Sequence, residues 1–352
     1  MLRYGPRPLD RRLSNVLWER ASDGNGLSAS NRNLQELVER TLAGDAVACG
    51  RLLTLVEAMD EMSDVAMIAL FRHLGRARRI GLTGPPGAGK SSLCLHLARI
   101  FRSRGLKAGM VVVDPTSPVS GGAVLGDRIR MNELATDRGV FIRSLASRGS
   151  FGGLSLAAGR VADVLDAFGC DVILLETVGM GQVGDDIREQ STTTVVVLVP
   201  ESGDGVQVMK AGIIELADVL VVNKSDRPGA RELVRQLESL PRERGRDWSP
   251  PVLGTSAQNG DGIEDLVSAL DRHHEYLEQS RQPCGRDDAF WRRRFARLAE
   301  NAILRDFRRS LRPDQDLDAD VQQVLAGRRP LETLLAETLA SFYRARKASP
   351  SE

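Results

Sequence analysis

A chain of 352 residues with 42% hydrophobic and 27% charged side chains has the make-up of a globular protein, either one large domain with additions or two, and not of a disordered polymer. Its 48 Lys+Arg against 47 Asp+Glu leave a formal charge of +1, so no global field gathers nucleic acid or anionic lipid. No run of about 18 apolar residues occurs, which excludes a spanning helix, and the opening MLRYGPRPLDRR lacks the apolar segment of a secretory signal.

In chain order, residues 1 to about 30 are rich in Arg, Ser, Gly and Asn and read as a frayed leader. From Asn33 the pattern changes. Leu34, Leu37, Val38 and Leu42, then Leu52, Leu53, Leu55 and Val56, then Ala66, Met67, Leu70 and Phe71 recur at three-and-four spacing, which predicts helices ending near Gly75. Gly44-Asp45 and Ser63-Asp64 are the expected N-cap regions. Residues 1–75 thus read as leader and helical extension.

From Arg78 onward, Val/Ile/Leu runs at 79–83, 108–113, 140–143, 172–176, 194–199, 219–223 and 252–255 predict strands, and 91–104, 154–168 and 231–240 predict helices between them. Continuous apolar runs alternating with helices imply an α/β fold, a mostly parallel sheet flanked by helices over residues 76–280. A break near Arg281-Gln282-Pro283 follows. Phe290, Trp291, Phe295, Leu298, Ile303, Leu304 and Phe307 then mark one long amphipathic helix, Pro313 interrupts, and 331–343 predicts a last helix with Pro330 near its start. Aromatics collect in this arm, 281–352, either as a packing surface for another subunit or as a core stripe within one chain.

The segment Gly84-Pro85-Pro86-Gly87-Ala88-Gly89-Lys90-Ser91, followed by Ser92, matches GxxxxGK[ST] between an expected strand and an expected helix, the context this P-loop (Walker A) motif needs. Its glycines let backbone N–H groups curl around phosphate oxygens, and the helix N-terminus adds partial positive charge. Lys90 supplies a point charge for the β- and γ-phosphates, and the Ser91 hydroxyl is a hard oxygen ligand for Mg²⁺. Downstream, Asn223-Lys224-Ser225-Asp226 ends an expected strand. A carboxylate at Asp226 can accept from guanine N1–H and the exocyclic amine, whereas adenine leaves it unpaired, so the expected ligand is GTP or GDP. The stem of Lys224 can lie along the base, Asn223 can tie this loop to the phosphate loop, and Thr255-Ser256-Ala257 fits a backbone clip over guanine O6.

Between them, residues 172–175 deliver Glu176-Thr177-Val178-Gly179: an acid for the Mg²⁺ hydration shell, and a glycine whose N–H can approach the γ-phosphate. Asp114 and Asp127 could reach the metal or orient water, with turn capping as the alternative for each. Gln182 is a candidate water positioner or a surface amide; Lys210 either bridges to these acids or is a solvated helix charge. Cys49, Cys94, Cys170 and Cys284 form no Cys/His cluster and read as reduced core thiols of a cytoplasmic protein. His73, His96, His273 and His274 lack metal-ligand spacing and read as ordinary histidines. Arg76, Arg78 and Arg79, like Arg292 to Arg294, read as solvated faces.

At these residues the chain resembles the MeaB/ArgK/MMAA family. The stretches GPPGAGKSS, VVDPTSPVSGGAVLGDRIRM (112–131), RSLASRGSFGGLS (143–155), DVILLETVGMGQ (171–182), ELADVLVVNKSD (215–226) and TSAQNGDGI (255–263) look like that family's, over roughly residues 31 to 345. The resemblance implies a P-loop GTPase of the metallochaperone-like class that chaperones adenosylcobalamin-dependent methylmalonyl-CoA mutase and its relatives, with an N-terminal helical extension and a C-terminal dimerising arm. It also implies Lys90 and Ser91 at phosphate and Mg²⁺, Asp114, Asp127 and Glu176 around the metal and switch loops, Asn223, Lys224 and Asp226 at guanine, and Lys210 as a mobile-loop lysine. Two stretches depart from the family. Val183-Gly184-Asp185-Asp186 stand where it usually continues with Ser-Glu, and 201–207 differ in their opening residues.

The resulting expectation is a slow GTPase, a homodimer through the arm, whose loops close on Mg²⁺·GTP and open on hydrolysis. An adenosylcobalamin-dependent acyl-CoA mutase senses the difference, with neither nucleic acid nor membrane as partner. No arginine finger is identifiable, hence the low intrinsic turnover. The rival classes are a metal-delivery GTPase, which needs Cys/His clusters near the phosphate loop, an ATP-using kinase, which Asp226 disfavours, and a GTP-sensing scaffold.

Overall fold

The computed structural model describes residues 27–114, 134, 136–146, 156–176, 187–200, 214–240, 247–280, 288–310 and 322–348. They belong to two compact units, one ending at Asp287 and one starting at Asp288. The first opens with α1 (Leu27–Leu42), α2 (Ala46–Glu57) and α3 (Glu61–Leu70). Helix α1 starts ahead of the expected change at Asn33, taking its Ser- and Asn-rich opening into the first turns. Those residues are weak helix formers, and the packing of Leu34 and Val38 further along outweighs their propensity. Asp45 caps α2 as expected, its Oδ1 accepting from Val47 and Ala48 N–H at 2.9 and 3.1 Å. The cap of α3 is Asp60 and not the Ser63-Asp64 pair. Asp60 Oδ1 takes the Ser63 N–H at 2.8 Å and Ser63 Oγ donates back to the Asp60 carbonyl at 2.7 Å, which places Asp64 in the first turn, where an acid complements the helix dipole.

The sheet follows. Its elements are β1 (Arg78–Thr83), α4 (Lys90–Ser103), β2 (Ala108–Asp114), β3 (Val140–Ala146), α5 (Leu156–Phe168), β4 (Val172–Glu176), β5 (Thr193–Leu198), β6 (Val219–Val222), α6 (Ala230–Glu238), β7 (Val252–Gly254) and α7 (Ile263–Gln279). The seven strands pair in the order β3-β2-β4-β1-β5-β6-β7, every pair parallel, as the alternating apolar runs predict. Parallel pairing puts the C-terminal ends of all the strands on one edge, with β1 in the middle.

Side chains alternate between the two faces. Met110 and Val112 of β2, Leu174 of β4 and Val195 and Val197 of β5 meet Leu93, Leu97 and Phe101 of α4 and Leu266 and Leu270 of α7. On the other face Val111, Val113, Ile173 and Leu175 meet Val161, Val164 and Leu165 of α5, and the same cluster takes in Leu34, Val38, Leu52, Leu53 and Val56 from α1 and α2. A smaller cluster joins Val196, Leu198, Leu220 and Val222 to Leu233 and Leu237 of α6. Full burial of each such side chain contributes about 1.5–3 kcal/mol, so the motif-bearing edge rests on a firm platform.

Alternation also corrects one expectation. Ile80 and Leu82 occupy the α4 face, so Arg79 points to the α5 face; it is fully buried there instead of lying on a solvated surface. Its Nη2 donates to Asp163 Oδ1 at 2.7 Å and to Asp166 Oδ2 at 3.0 Å, both carboxylates coming from α5.

At the opposite end of β5 and β6 from the motifs, His273 of α7 is buried against Trp248, with ring centres 4.7 Å apart. Its Nδ1 pairs with Thr193 Oγ1 at 2.9 Å, and its Nε2 lies 3.6 Å from Asp218 Oδ1. Burial pushes the imidazole below its ordinary pKa, and neighbouring His274 adds to this while the Asp218 charge opposes it. The unfolded chain therefore takes up a proton near pH 6.5 that the folded chain resists, and stability falls as pH drops below about 6.5. Thermal melts followed by tryptophan fluorescence from pH 7.5 to 5 are expected to show this loss, and His273→Asn is expected to flatten it relative to the parent. Parallel pH profiles for the two proteins would contradict the assignment.

Cys49, Cys94 and Cys170 are free and buried, and burial pushes the Cys170 thiol up to about 12, so it stays protonated and unreactive. Cys284 lies outside the described residues. Among the described residues no group of three or more His, Cys, Asp or Glu is placed to hold a metal ion, and no helix is long and apolar enough to cross a membrane.

The second unit contains α8 (Asp288–Ser310) and α9 (Leu331–Ala348), the latter running past the expected end at Tyr343. Phe307 and Phe342 meet edge to face with centroids 5.4 Å apart, and Leu334 and Phe342 are buried. Phe295, Ile303, Leu304, Leu325, Leu331, Leu335 and Tyr343 are exposed by half or more, leaving several large apolar side chains uncovered on this unit.

Candidate nucleotide-binding site

The phosphate loop leaves the C-terminal end of β1, the central strand, and turns directly into α4. Two glycines make that turn possible. Gly84 has φ +145°, and a Cβ there would stand 2.0 Å from the Val197 carbonyl oxygen of β5. Gly89, the N-cap of α4, has φ +88°, and a Cβ would stand 2.3 Å from Asn223 Nδ2. No side chain caps α4 and its first turn carries no acid, so its leading N–H groups are available to an anion. Pro86 and Gly87 at the loop's crown are exposed, Ala88 is buried beneath them, and Ser92 sits in the helix's first turn. The loop itself closes through Ala88 N–H to the Pro85 carbonyl at 3.2 Å.

Lys90 is buried, and its Nζ donates to the carbonyls of Gly84 at 3.0 Å and Pro85 at 3.1 Å, which holds the ammonium across the loop. Ser91 Oγ donates to Glu176 Oε1 at 2.5 Å. Glu176 is the last residue of β4, in register with Leu82 of β1, so the neighbouring strand delivers its carboxylate to the start of α4. A hydroxyl and a carboxylate this close form a pair of hard oxygens suited to a small divalent cation. Asp114 ends β2, its backbone paired with Ala146, on the same edge of the sheet. Asp127, Gly179, Gln182 and Lys210 lie outside the described residues, as do the departing stretches 183–186 and 201–207.

Asn223 follows β6 and is the knot of the site. Its Nδ2 donates to the Ala88 carbonyl of the phosphate loop at 2.7 Å, while its Oδ1 accepts from Thr255 Oγ1 at 3.1 Å and from Ala257 N–H at 3.0 Å. One buried amide thus ties three loops together, donating once and accepting twice. Lys224 follows with φ +58°, a left-handed conformation that costs a non-glycine residue about 1–2 kcal/mol. The bend lets Ser225 N–H reach the Thr255 carbonyl at 2.9 Å, and Arg227 N–H closes the turn on the Lys224 carbonyl at 3.0 Å. Such strain concentrates at functional sites.

Asp226 is exposed at the rim. Ser256 Oγ donates to its Oδ1 at 2.7 Å, and this bond, followed by one from Asp226's own backbone N–H, holds the carboxyl below the ordinary carboxylate range. The group is an ionised acceptor at neutral pH, aimed by Ser256. The clip after β7 is fixed by Thr255 N–H to the Val222 carbonyl and by Ser256 N–H to the Asp261 carbonyl, at 2.9 and 3.0 Å. The edge therefore brings together anion-binding backbone, a buried ammonium, a hydroxyl–carboxylate oxygen pair and a fixed carboxylate beside a firmly bonded backbone clip. That combination can meet a polyphosphate at one end and a ring bearing two adjacent N–H donors at the other.

One contact here had no signal in the sequence. His96 Nε2 lies 2.7 Å from the Ala257 carbonyl oxygen. Nothing in its spacing distinguishes this histidine from the other polar positions of α4.

The family described as Methylmalonyl Co-A mutase-associated GTPase MeaB matches residues 49–310. A Pyrococcus horikoshii protein carrying the name GTPase is 47% identical over 253 residues, 70% of this chain and 80% of that one. The GTPase ArgK of Escherichia coli is 34% identical over 247 residues, 67% of this chain and 75% of that one. The mitochondrial methylmalonic aciduria type A homolog of Mus musculus is 34% identical over 267 residues, 70% of this chain and 64% of that one. The crystal structure of a LAO/AO transport system kinase shares the fold at a TM-score of 0.63 and 23% identity, covering 89% of this chain and 98% of that chain. Extended match and pairwise identity point one way: the chain is a P-loop GTPase and belongs to the MeaB family of methylmalonyl-CoA mutase-associated GTPases.

Proposed function

We propose that this GTPase couples its nucleotide state to the assembly, protection or reactivation of an adenosylcobalamin-dependent acyl-CoA mutase of the methylmalonyl-CoA mutase type. The family match across most of the chain carries the reading of the partner. The Asn223 knot carries the reading of the site, because it welds phosphate loop, base loop and clip into one receptor. Gly84 to Ser92 cradle the phosphates, Lys90 exchanges its loop carbonyls for β- and γ-phosphate oxygens, and Asp226 with Ser256 and Ala257 reads guanine, with Lys224 along its face.

The Ser91–Glu176 oxygen pair fits Mg²⁺, and these two residues, with Asp114 and Asp127, are its proposed holders. When bound, the ion neutralises charge on the phosphate oxygens. Gly179 N–H approaches the γ-phosphate, Gln182 orients the attacking water, and Lys210 bridges to the acids. Asp127, Gly179, Gln182 and Lys210 answer to the nucleotide state, and the mutase senses that change. The intrinsic rate is low, since no arginine from the chain's own motifs is assigned to the developing charge.

Three segments divide the labour: residues 1–75 as leader and helical extension, 76–280 as GTPase domain, and 281–352 as a dimerising arm. The exposed apolar surface of α8 and α9 supports the arm's role as the seam of a homodimer. The buried, free thiols suit a cytoplasmic setting. The decisive measurement is GTP hydrolysis with and without a purified adenosylcobalamin-dependent acyl-CoA mutase. The expected result is an acceleration of about ten-fold or more, in the direction of a partner-supplied group. An unchanged rate across methylmalonyl-, isobutyryl- and ethylmalonyl-type mutases would overturn the coupling.

A further inference from the structure

His96 stands on α4, the helix that the phosphate loop opens, and reaches across to the clip that follows β7. A carbonyl oxygen only accepts, so the 2.7 Å contact with Ala257 requires a proton on His96 Nε2. The clip's other backbone bonds come from elsewhere. Thr255 N–H goes to Val222, the Thr255 carbonyl takes Ser225 N–H, Ser256 pairs with Asp261 and Gly260, and Ala257 N–H goes to Asn223. Of these anchors, His96 is the one that α4 supplies.

We infer that His96 is a positioning residue for recognition of the purine O6 edge. It pins the Ala257–Gln258 peptide to the phosphate-loop helix, so that the Gln258 N–H keeps a set distance from the bound polyphosphate. The inference rests on the guanine reading of Asp226, Ser256 and Ala257 proposed above. A peptide unit is planar and trans, so holding the Ala257 carbonyl also fixes the direction of the Gln258 N–H. Asn259 and Gly260 N–H close the turn around that peptide on the Ser256 carbonyl, at 3.1 and 2.8 Å, and His96 adds the pin that ties the turn to α4. A donor set already in place loses less freedom when the base arrives. His96 makes no contact with Asp226, so its effect is confined to the O6 side and leaves the reading of the 2-amino group alone.

The test is calorimetric binding of GDP, IDP, ADP and inorganic tripolyphosphate to the full chain and its His96→Ala and His96→Gln variants. GDP and IDP share O6 and N1–H and differ in the 2-amino group. His96→Ala is expected to weaken both about five-fold, the scale of one lost hydrogen bond, with their ratio and the tripolyphosphate affinity unchanged. His96→Gln places an amide donor at the same reach and is expected to restore most of the loss. GDP affinity within about two-fold of the parent in His96→Ala overturns the inference. So does an equal weakening of tripolyphosphate, which would mark a general disturbance of α4. A parent chain that binds ADP as tightly as GDP overturns the guanine reading itself.

Discussion

Replacing Asp226 with asparagine is expected to exchange the base that the site accepts. The carboxylate is held by Ser256 Oγ at 2.7 Å and is ionised at neutral pH, so it offers acceptors and no donor. Guanine meets it with N1–H and the 2-amino group. Asparagine keeps the shape and one acceptor but turns an N–H₂ toward that amine, two donors facing each other. Xanthine carries a carbonyl oxygen at the same carbon, and the asparagine amide can donate to it. Selection through a mismatched hydrogen-bonding group reaches several powers of ten where the group is enclosed; for a rim residue a drop of about a hundred-fold in GTP affinity is the expected scale, with a comparable gain for XTP. Hydrolysis measured with both nucleotides should follow affinity, because Lys90, Ser91 and Glu176 are untouched. GTP affinity that survives the substitution would remove Asp226 from base recognition and leave the Asn223 knot as a purely architectural feature.

The fold and half of the site were legible for different reasons. Continuous apolar runs such as Val195 to Val199 and Val219 to Val222, short and rich in β-branched residues, suit a strand covered on both faces; β5 takes the first as far as Leu198 and β6 the whole of the second. The phosphate loop was legible because its glycines are fixed by geometry: at Gly84 any side chain would strike the β5 backbone. Asn223 was legible as a tether because a short amide at a strand end has few other uses, and its bonds run to both the phosphate loop and the clip.

What escaped the sequence is what depends on which residue lies opposite in space. Ser63 looks like a cap and is the capped residue, because Asp60 three positions earlier accepts its N–H and starts the helix first. His96 carries no local mark, since its partner is a backbone carbonyl 161 positions away. Arg79 follows the same logic. A run of Arg76, Arg78 and Arg79 suggests a solvated face, but strand alternation turns Arg79 inward toward two acids that meet it only when α5 packs on the sheet.

That buried cluster sets the largest stability effect expected of a single substitution, Asp166→Ala. Arg79 Nη2 is shared by Asp163 and Asp166, whose side chains are likewise sealed from solvent, and Arg79 Nε and Nη1 have no acceptor among the described residues. Burial works against the charged guanidinium, and the two carboxylates more than offset it, so its pKa is raised. Asp166 has a second task. Its Oδ2 accepts from Gly75 N–H at 2.8 Å, and its Oδ1 from Arg76 and Ala77 N–H, both at 3.0 Å, which holds the segment joining α3 to β1. Alanine removes all of these bonds together and leaves a buried cation facing one carboxylate. Losing one partner of a buried ion pair costs about 3–5 kcal/mol, and the three orphaned N–H groups push toward the upper end. Equilibrium unfolding in urea should report that loss. Hydrogen exchange should show residues 74–78 and the inner faces of α1 to α3 opening before the sheet does, because α5 is the surface on which those helices pack. Asp166→Asn keeps the shape and one accepting oxygen but sets an amide N–H₂ against two of the four donors that the carboxylate takes, so it should recover only part of the loss. If alanine lowers stability by under about 1 kcal/mol, the cluster is no more than a tolerated burial, and the N-terminal helices are held by their apolar contacts with α5 alone.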